Sequence, residues 1–566
     1  MFIRFSDKIS PSIHQPFVSY AFNEELSKSP SFVDIRAIVQ TNTTQWLDDL
    51  SHGHLKLGNR ISQHCAWWWW LPQARLDARP WGQESIIKPL FFARAVVDWL
   101  RSSPSGSLNV IGAPKIVQKF ICEFEPKVVV QGVPLKGDSR LTPIIQYLAD
   151  LFWKCLLVLR FLFDRKTKVF KNSTMILFER FDLHQNLGQA RDYFFSKLFE
   201  DIPHECACLD PISPRRKSFQ GAVDILSEMH IQDLPRALGR NIYLGILVLW
   251  FGFFAPPCVI ANAQSKSFWR HFLWGQFSRS VVLRESLVYD VFSRWATQGT
   301  LRTVVYPYEE KGYERALLLA LKSSRVKTIG YTPHPQHELA VSMQDGGTCR
   351  PPRPTMYGVC GSAYVGYFQH WGRKKNTIHV WGSAKSCQQD FRDIQNVHRL
   401  NTLILLSHPH ELEVFYSWLK AEPGLTENIH YLIRGYQSVP SGLFARRLAT
   451  LGNDYPQAKA VSGELGANLS EADLAIFNAT SAGLLAVNAG KLVVHTCLDD
   501  FFKINCCFNN LGPMLSCATA KELAQRLQEI RRASRDQRQY LWRQQVKATA
   551  EIFGRINHQE IQNDIS

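Results

Sequence analysis

Short runs of β-branched and aliphatic residues alternate along this chain with stretches whose apolar side chains recur every three or four positions. That alternation predicts parallel strands covered by helices. Strands are expected at Val33–Gln40, Leu108–Gly112, Lys127–Gln131, Met175–Glu179, Leu301–Tyr306 and Lys327–Tyr331, and, past a proline-rich loop at Pro351–Pro354, at Met356–Gly358. Helical patterns at Pro114–Phe124 and Tyr313–Leu321 separate several of them. His379–Trp381 reads as one more short strand, and the polar stretch Gly382–Arg399 that follows has no apolar period, so residues 383–400 read as an interdomain linker. The rhythm then restarts: strand Thr402–Leu406, helix Glu411–Lys420, strands Ile429–Ile433, Ala458–Val461 and Asp473–Phe477, helix Ser481–Ala489, strand Leu492–His495. A helix over Glu522–Arg532 repeats Leu523, Leu527 and Ile530 at i, i+4 and i+7, and a charged helical tail over 534–566 follows, of a kind that can cross back onto the first domain. The expected architecture is α/β, with an N-terminal domain over 1–382 and a smaller C-terminal domain over 401–533.

Two apolar segments interrupt the first domain. Tyr243–Ala261 carries no charge over nearly the length that spans a bilayer, but Pro256 and Pro257 break the helix there. The other, Leu148–Phe163, is shorter and carries Lys154 and Arg160, which suit an interface better than a bilayer centre. Interfacial contact is the expectation for both. The alternatives of a buried core element and a true span remain open for Tyr243–Ala261.

A length of 566 residues exceeds what one hydrophobic core organises, which agrees with two large domains. The formal net charge of +16 calls for an anionic partner: a phosphorylated donor, acidic headgroups or nucleic acid. No long Lys/Arg run, zinc-finger spacing or basic heptad supports nucleic-acid recognition, so none is expected. Thirteen cysteines without a paired framework, and an N-terminus lacking a signal-peptide core, lead to the expectation of reduced thiols in the cytoplasm.

Candidate chemistry sits where strands end. In the stretch 473–495, Asn478, Thr480 and Ser481 stand between a strand and a helix start, where hydroxyls and free N–H groups can hold a phosphate or ribose, or simply cap the helix. The stretch LILLSHPHE ends a strand in Ser407, His408, Pro409 and His410, and the next strand ends at Arg434 and Gly435. Such strand ends bind ligands in parallel folds. Arg434 can pair a diphosphate or make an ordinary salt bridge. In the first domain, VVYPYEEKGYER presents Glu309 and Glu310 before a helix, as a general base or as acidic residues favouring a helix dipole. His334 and His337 follow the next strand.

These segments resemble a family. Trp67–Trp70 with the following LPQARLDARPWGQESIIKPLFFARAVVDWL, then YPYEEKGYERALL, GYTPH and ADLAIFNATSAGLLAVNAGKLVV, are similar to surface carbohydrate biosynthesis proteins of the leptospiral O-antigen type. That group is distantly similar to bacterial polysialyl and capsule glycosyltransferases. The resemblance implies a GT-B-like fold, two Rossmann-like domains facing across a cleft, and sugar transfer from a nucleotide donor without metal or other cofactor. It also implies a Ser/Thr pair on the donor phosphate, matched by Thr480 and Ser481. The family's His-Pro pair is expected after the second C-terminal strand, whereas His408 and Pro409 follow the first. EEKG at Glu309–Gly312 approximates an acidic-acidic-Gly signature.

The combined expectation is an inverting, metal-independent transferase peripherally bound to the inner face of the cell membrane, acting on a lipid-linked or growing glycan. Glu309 would be the base and His334 would orient the acceptor, while His408, Arg434, Asn478, Thr480 and Ser481 would bind the donor. A non-catalytic glycan or nucleotide-sugar scaffold and a nucleotide-sugar epimerase are the rival readings.

Overall fold

The computed structural model describes residues 2–6, 16–19, 29–62, 87–103, 107–131, 148–149, 151–156, 174–179, 195, 197–209, 222–254, 267–269, 282–299, 301–333, 352–386, 388–407, 409–435, 444, 448–449, 455, 457–478, 480–498 and 515–566. Its strands form three sheets, and every pairing in them is parallel.

The first sheet joins β1 (Phe2–Ser6), β2 (Phe17–Ser19), β3 (Ser107–Ile111) and β4 (Val129–Gln131) in the order β2-β3-β1-β4. Its helices are α1 (Arg36–Ser62), α2 (Ile87–Ser102) and α3 (Lys115–Phe124). The strand expected at Val33–Gln40 does not form: residues 33–35 are irregular and 36–40 are the start of α1. Its β-branched residues suit a strand locally, but Ile35, Val39, Trp46, Leu47 and Leu50 are buried at helical spacing, so the longer period decides.

The second sheet contains β5 (Thr174–Glu179), β6 (Glu205–Leu209), β7 (Ala222–Asp224), β8 (Thr303–Pro307), β9 (Lys327–Thr332), β10 (Met356–Val359) and β11 (Ile378–Val380). Its order is β11-β10-β9-β8-β5-β6-β7. From β5 the chain winds outward through β6 and β7, then returns to the other side of β5 and winds out again. Helices α4 (Asp233–Phe254), α5 (Val282–Gln298), α6 (Gly312–Leu321) and α7 (Ala363–His370) belong to this half. No helix or strand occupies the described residues between β11 and Leu400.

The third sheet repeats the scheme. β12 (Leu400–Leu405), β13 (Ile429–Arg434), β14 (Ala458–Ala460), β15 (Leu474–Phe477), β16 (Leu492–Thr496) and β17 (Leu515–Cys517) run in the order β14-β13-β12-β15-β16-β17. Counted from its own first strand this is 3-2-1-4-5-6, the doubly wound Rossmann order, and the second sheet has the same order with a seventh strand added. The chain is therefore α/β with two Rossmann-like units. Strands β8, β15 and β16 are buried at every position, which explains why they read as unbroken apolar runs. Helices α8 (Pro409–Ala421), α9 (Leu465–Glu471), α10 (Ala482–Asn488) and α11 (Ala520–Arg532) accompany this sheet.

The C-terminal tail crosses back. Helix α12 (Arg535–Ile552) starts with a Ser534/Gln537 capping box. It packs on the third unit through Trp542, whose Nε1 donates to the Val487 carbonyl, and Gln545, which bonds both backbone groups of Val493. The chain then meets the second sheet: Gly554 N–H donates to Cys360 O and Asn557 N–H to Trp381 O. Gly382 has φ 82°, and a Cβ there would lie 2.0 Å from the Arg555 carbonyl, so this crossing needs glycine. Helix α13 (His558–Ile565) ends against the same sheet, where Thr303 Oγ1 donates to Ile565 O.

Of the apolar segment at 243–261, residues 243–254 lie in α4 and the rest fall outside the described residues. Helix α4 buries Leu234, Ala237, Asn241 and Leu244 and is clamped to α5 by a bidentate Arg240–Asp290 pair and by Arg294 on Asp233. Its other face exposes Ile242, Tyr243, Ile246 (58%) and Trp250 (59%). The segment at 148–163 is helical over 151–156 and exposes Phe152 (67%) and Trp153 (55%). Among the described residues no helix is long and apolar enough to cross a membrane. Trp67–Trp70 lie outside the described residues.

Candidate functional site

In a doubly wound sheet the crevice for ligand opens where the winding reverses, at the carboxyl ends of the two strands that flank the reversal. For the third sheet these are β12 and β15, paired in register Leu405↔Phe477, with Leu405↔Arg434 and Phe477↔His495 extending the row. The loops leaving β12, β13 and β15 therefore share one edge, bringing Ser407, Arg434 and the Asn478–Ser481 turn to the same end of the sheet. The sequence-based grouping of three strand ends has this register as its physical basis.

Asn478 is fully buried as β15 ends, and Thr480 is nearly so. Thr480 Oγ1 accepts the Ala482 N–H at 3.2 Å, so Thr480 does the work of a cap. Ser481 is the residue preceding α10, yet its side chain makes no capping bond and is partly exposed. The turn thus separates the two hydroxyls: one locks the helix start, the other makes no cap bond on a partly exposed residue. Gly483 permits this geometry, because a Cβ there would lie 2.2 Å from the Phe477 ring.

Arg434 is buried, and its Nη1 donates to Asn468 Oδ1 at 2.6 Å and to the Gly463 carbonyl at 2.8 Å. Burial lowers its pKa, and Glu464 opposes that. The arginine braces the start of α9 from within the fold. Ser407 is held by the first turn of α8: its N–H donates to Glu411 Oε2 at 2.7 Å and its hydroxyl to Glu411 Oε1.

In the second sheet the reversal lies between β5 and β8, and the loop after β8 carries the acidic pair. The structure divides that pair. Glu309 is partly exposed, with its carboxylate 2.5 Å from Lys311 Nζ. Glu310, at φ 62°, turns inward to a buried cluster: Arg315 donates to its Oε2 at 2.9 and 3.1 Å, and Arg353, Arg373 and the Tyr308 hydroxyl meet its Oε1. Beneath the loop, Glu314 accepts the N–H groups of Glu309 and Glu310. Burial raises the Glu314 pKa well above its ordinary value, with Lys311 opposing the rise and the two neighbouring carboxylates adding to it.

One loop at each reversal is thus pinned in the same way, by a buried glutamate in the first turn of the following helix: Glu314 for β8–α6 and Glu411 for β12–α8. Sequence reasoning missed this role, although a glutamate four residues past Glu310 and past Ser407 is the visible signal. It also missed Arg353 and Arg373, which lie 43 and 63 residues from Glu310 and meet it only in the fold. His334, His337 and His408 lie outside the described residues.

No family model matches the chain, and no curated protein matches it. Among solved structures, an α,α-trehalose-phosphate synthase (UDP-forming) from Burkholderia vietnamiensis is similar at 9% identity and TM-score 0.38, covering 69% of this chain and 98% of that one. The UDP-GlcNAc 2-epimerase of Methanocaldococcus jannaschii is similar at 9% identity and TM-score 0.38, with 69% and 97% coverage. Anabaena HepE, in complex with UDP and glucose, is similar at 10% identity and TM-score 0.35 over 49% of this chain and 80% of that one. At these scores the likenesses decide nothing about this chain, whose two Rossmann-like units stand on their own strand order and register.

Proposed function

We propose that this chain is a GT-B-like glycosyltransferase that takes a nucleotide sugar as donor. The observation that carries the reading is the β15–α10 turn at the reversal point of the third sheet, where Thr480 locks the helix start and the Ser481 hydroxyl is left to meet a ligand. In this reading the third unit binds the donor, with Ser481 on the phosphate and His408 and Asn478 beside it. Arg434 holds α9 in place from within. The reversal loop of the second sheet presents Glu309 to the acceptor. The carboxylate takes the proton as the acceptor oxygen bonds to the anomeric carbon, and the nucleotide leaves through its phosphate oxygen with the electron pair of the broken bond, giving inversion without metal. His334 orients the acceptor.

The acceptor is a lipid-linked or growing surface glycan, and the enzyme works at the inner face of the cell membrane. The exposed face of α4, the apolar residues of the 151–156 turn and the net charge of +16 support contact with an anionic bilayer surface. One observation favours the scaffold reading: the Glu309 carboxylate is already engaged in an ion pair with Lys311.

Calorimetry with CMP, UDP and GDP sugars tests the donor site. One of them should bind, and Ser481→Ala together with Thr480→Val should weaken that binding by roughly tenfold or more, since a charge-assisted hydrogen bond contributes about 1.5 to 3 kcal/mol. Absence of binding by any nucleotide sugar would refute both the transferase and the nucleotide-sugar scaffold.

A further inference from the structure

Away from both reversal loops, where the C-terminal tail meets the second sheet, three metal-ligand side chains converge. His379 comes from β11, and Glu560 and Asp564 stand at i and i+4 on α13, which puts them on one face of that helix. His379 Nδ1 lies 2.7 Å from Glu560 Oε1 and 3.1 Å from Asp564 Oδ1, and all three donor atoms fall within 4.8 Å of one another.

Two further atoms of the cluster have partners of their own behind it. His379 Nε2 faces the Asn376 carbonyl at 3.4 Å, and Trp381 Nε1 donates to Asp564 Oδ2 at 2.7 Å. Outer partners of this kind, a carbonyl behind the imidazole and a donor behind the carboxylate, orient metal ligands and fix the tautomer. With Nε2 protonated toward Asn376, Nδ1 presents a lone pair to two carboxylate oxygens. Three lone pairs at these distances require a positive centre among them, either a proton on Nδ1 or a cation.

We infer that His379, Glu560 and Asp564 form a structural site for a divalent cation of the zinc type. An imidazole with two carboxylates suits zinc better than magnesium or calcium, which favour all-oxygen sets. Zinc bonds of about 2.0 to 2.2 Å place tetrahedral ligands about 3.3 to 3.6 Å apart, so to admit the ion the 2.7 Å contact of His379 with Glu560 opens by roughly 0.6 to 0.9 Å and the 3.1 Å contact with Asp564 by roughly 0.2 to 0.5 Å. Asp564, with only 6% of its side chain exposed, stays fixed, and the Glu560 side chain, 38% exposed, can move. The site lies outside the proposed transfer chemistry and does not rest on it. Its effect is mechanical: α13 ends a tail that begins on the third unit through Trp542 and Gln545, so a bound ion staples that tail to β11.

The test uses the full chain, stripped with chelator and titrated with Co²⁺ as spectroscopic probe. We expect one equivalent with d–d absorption of a nitrogen/oxygen site, without the thiolate charge-transfer bands that the 13 cysteines would produce, and displacement by Zn²⁺. Glu560→Gln and His379→Gln should each weaken this binding at least tenfold. Zn²⁺ should raise the melting temperature of the unaltered chain and slow amide exchange in α13, but do neither in the variants. The exposed position of Glu560 lets its variant fold, as circular dichroism will verify, and it decides alone if His379→Gln does not. Binding that both variants retain, only thiolate bands, or no binding at all would overturn the site and leave a proton-bridged contact.

Discussion

Glu310→Gln is expected to unfold the second Rossmann-like unit well before the unaltered chain, while Glu314→Gln is not. Both glutamates are buried, four residues apart, and both contact the same loop. They differ in what surrounds them. Glu310 is the counter-charge for Arg315, Arg353 and Arg373, so its neutral replacement leaves those guanidinium groups facing one another in a buried space. Breaking a buried ion pair by removing one partner costs about 3 to 5 kcal/mol. Gln at the same φ of 62° keeps the backbone cost unchanged, so the comparison isolates charge. Glu314 instead accepts two backbone N–H groups, and its raised pKa shows that burial favours the protonated form. Gln supplies the same acceptor oxygen, for an expected change of about 1 kcal/mol or less. The sign with pH follows. A folded pKa raised above the unfolded one stabilises below the unfolded value and loses that contribution as pH rises through the folded value. Glu314→Gln should therefore gain on the unaltered chain as pH increases. Thermal melts and hydrogen exchange of peptides covering β8 and α6 measure both effects, with a drop of roughly 5 to 15 °C expected for Glu310→Gln. Equal stability of Glu310→Gln and the unaltered chain, or equal losses in the two variants, would refute this account of the cluster.

Glu309→Gln should leave donor binding intact and lower turnover by roughly 100-fold or more, read by single-substrate binding alongside assays on membrane lipid extracts. Ile246→Ser combined with Trp250→Ser should reduce binding to anionic liposomes by about tenfold or more, since each side chain buries apolar area worth about 1.5 to 3 kcal/mol. That binding should weaken as salt screens the +16 charge, and unchanged sedimentation with vesicles would remove α4 as a membrane face. Gly382→Ala should loosen the tail crossing, because its Cβ would meet the Arg555 carbonyl at 2.0 Å at a φ that strains any other residue. Faster amide exchange in α13 is the expected reading.

Local pattern alone determined the α/β class and most strands of the second and third sheets. Strands such as β8, β15 and β16 are buried on both faces, so their apolar runs are nearly continuous and bounded by polar turns. The strand-end positions of Glu309, Arg434 and Thr480 were legible for the same reason. Strand order was not, because the reversal between β12 and β15 depends on which strands pair, and pairing leaves no local mark. At Val33–Gln40 a short β-like run lost to the longer helical period of the residues around it. Which of two adjacent glutamates faces solvent was likewise undecidable from EEKG, since it turns on the positive φ of Glu310 and on Arg353 and Arg373 arriving from distant loops. The threonine and serine hydroxyls before α10 differ for a related reason: Gly483 lets the helix pack against Phe477, and in that packing Thr480 accepts the Ala482 N–H while Ser481 stays partly exposed without a cap bond. Chain-local chemistry names the candidates, and long-range contacts assign their roles, because burial and charge compensation are properties of neighbours that sequence distance does not record.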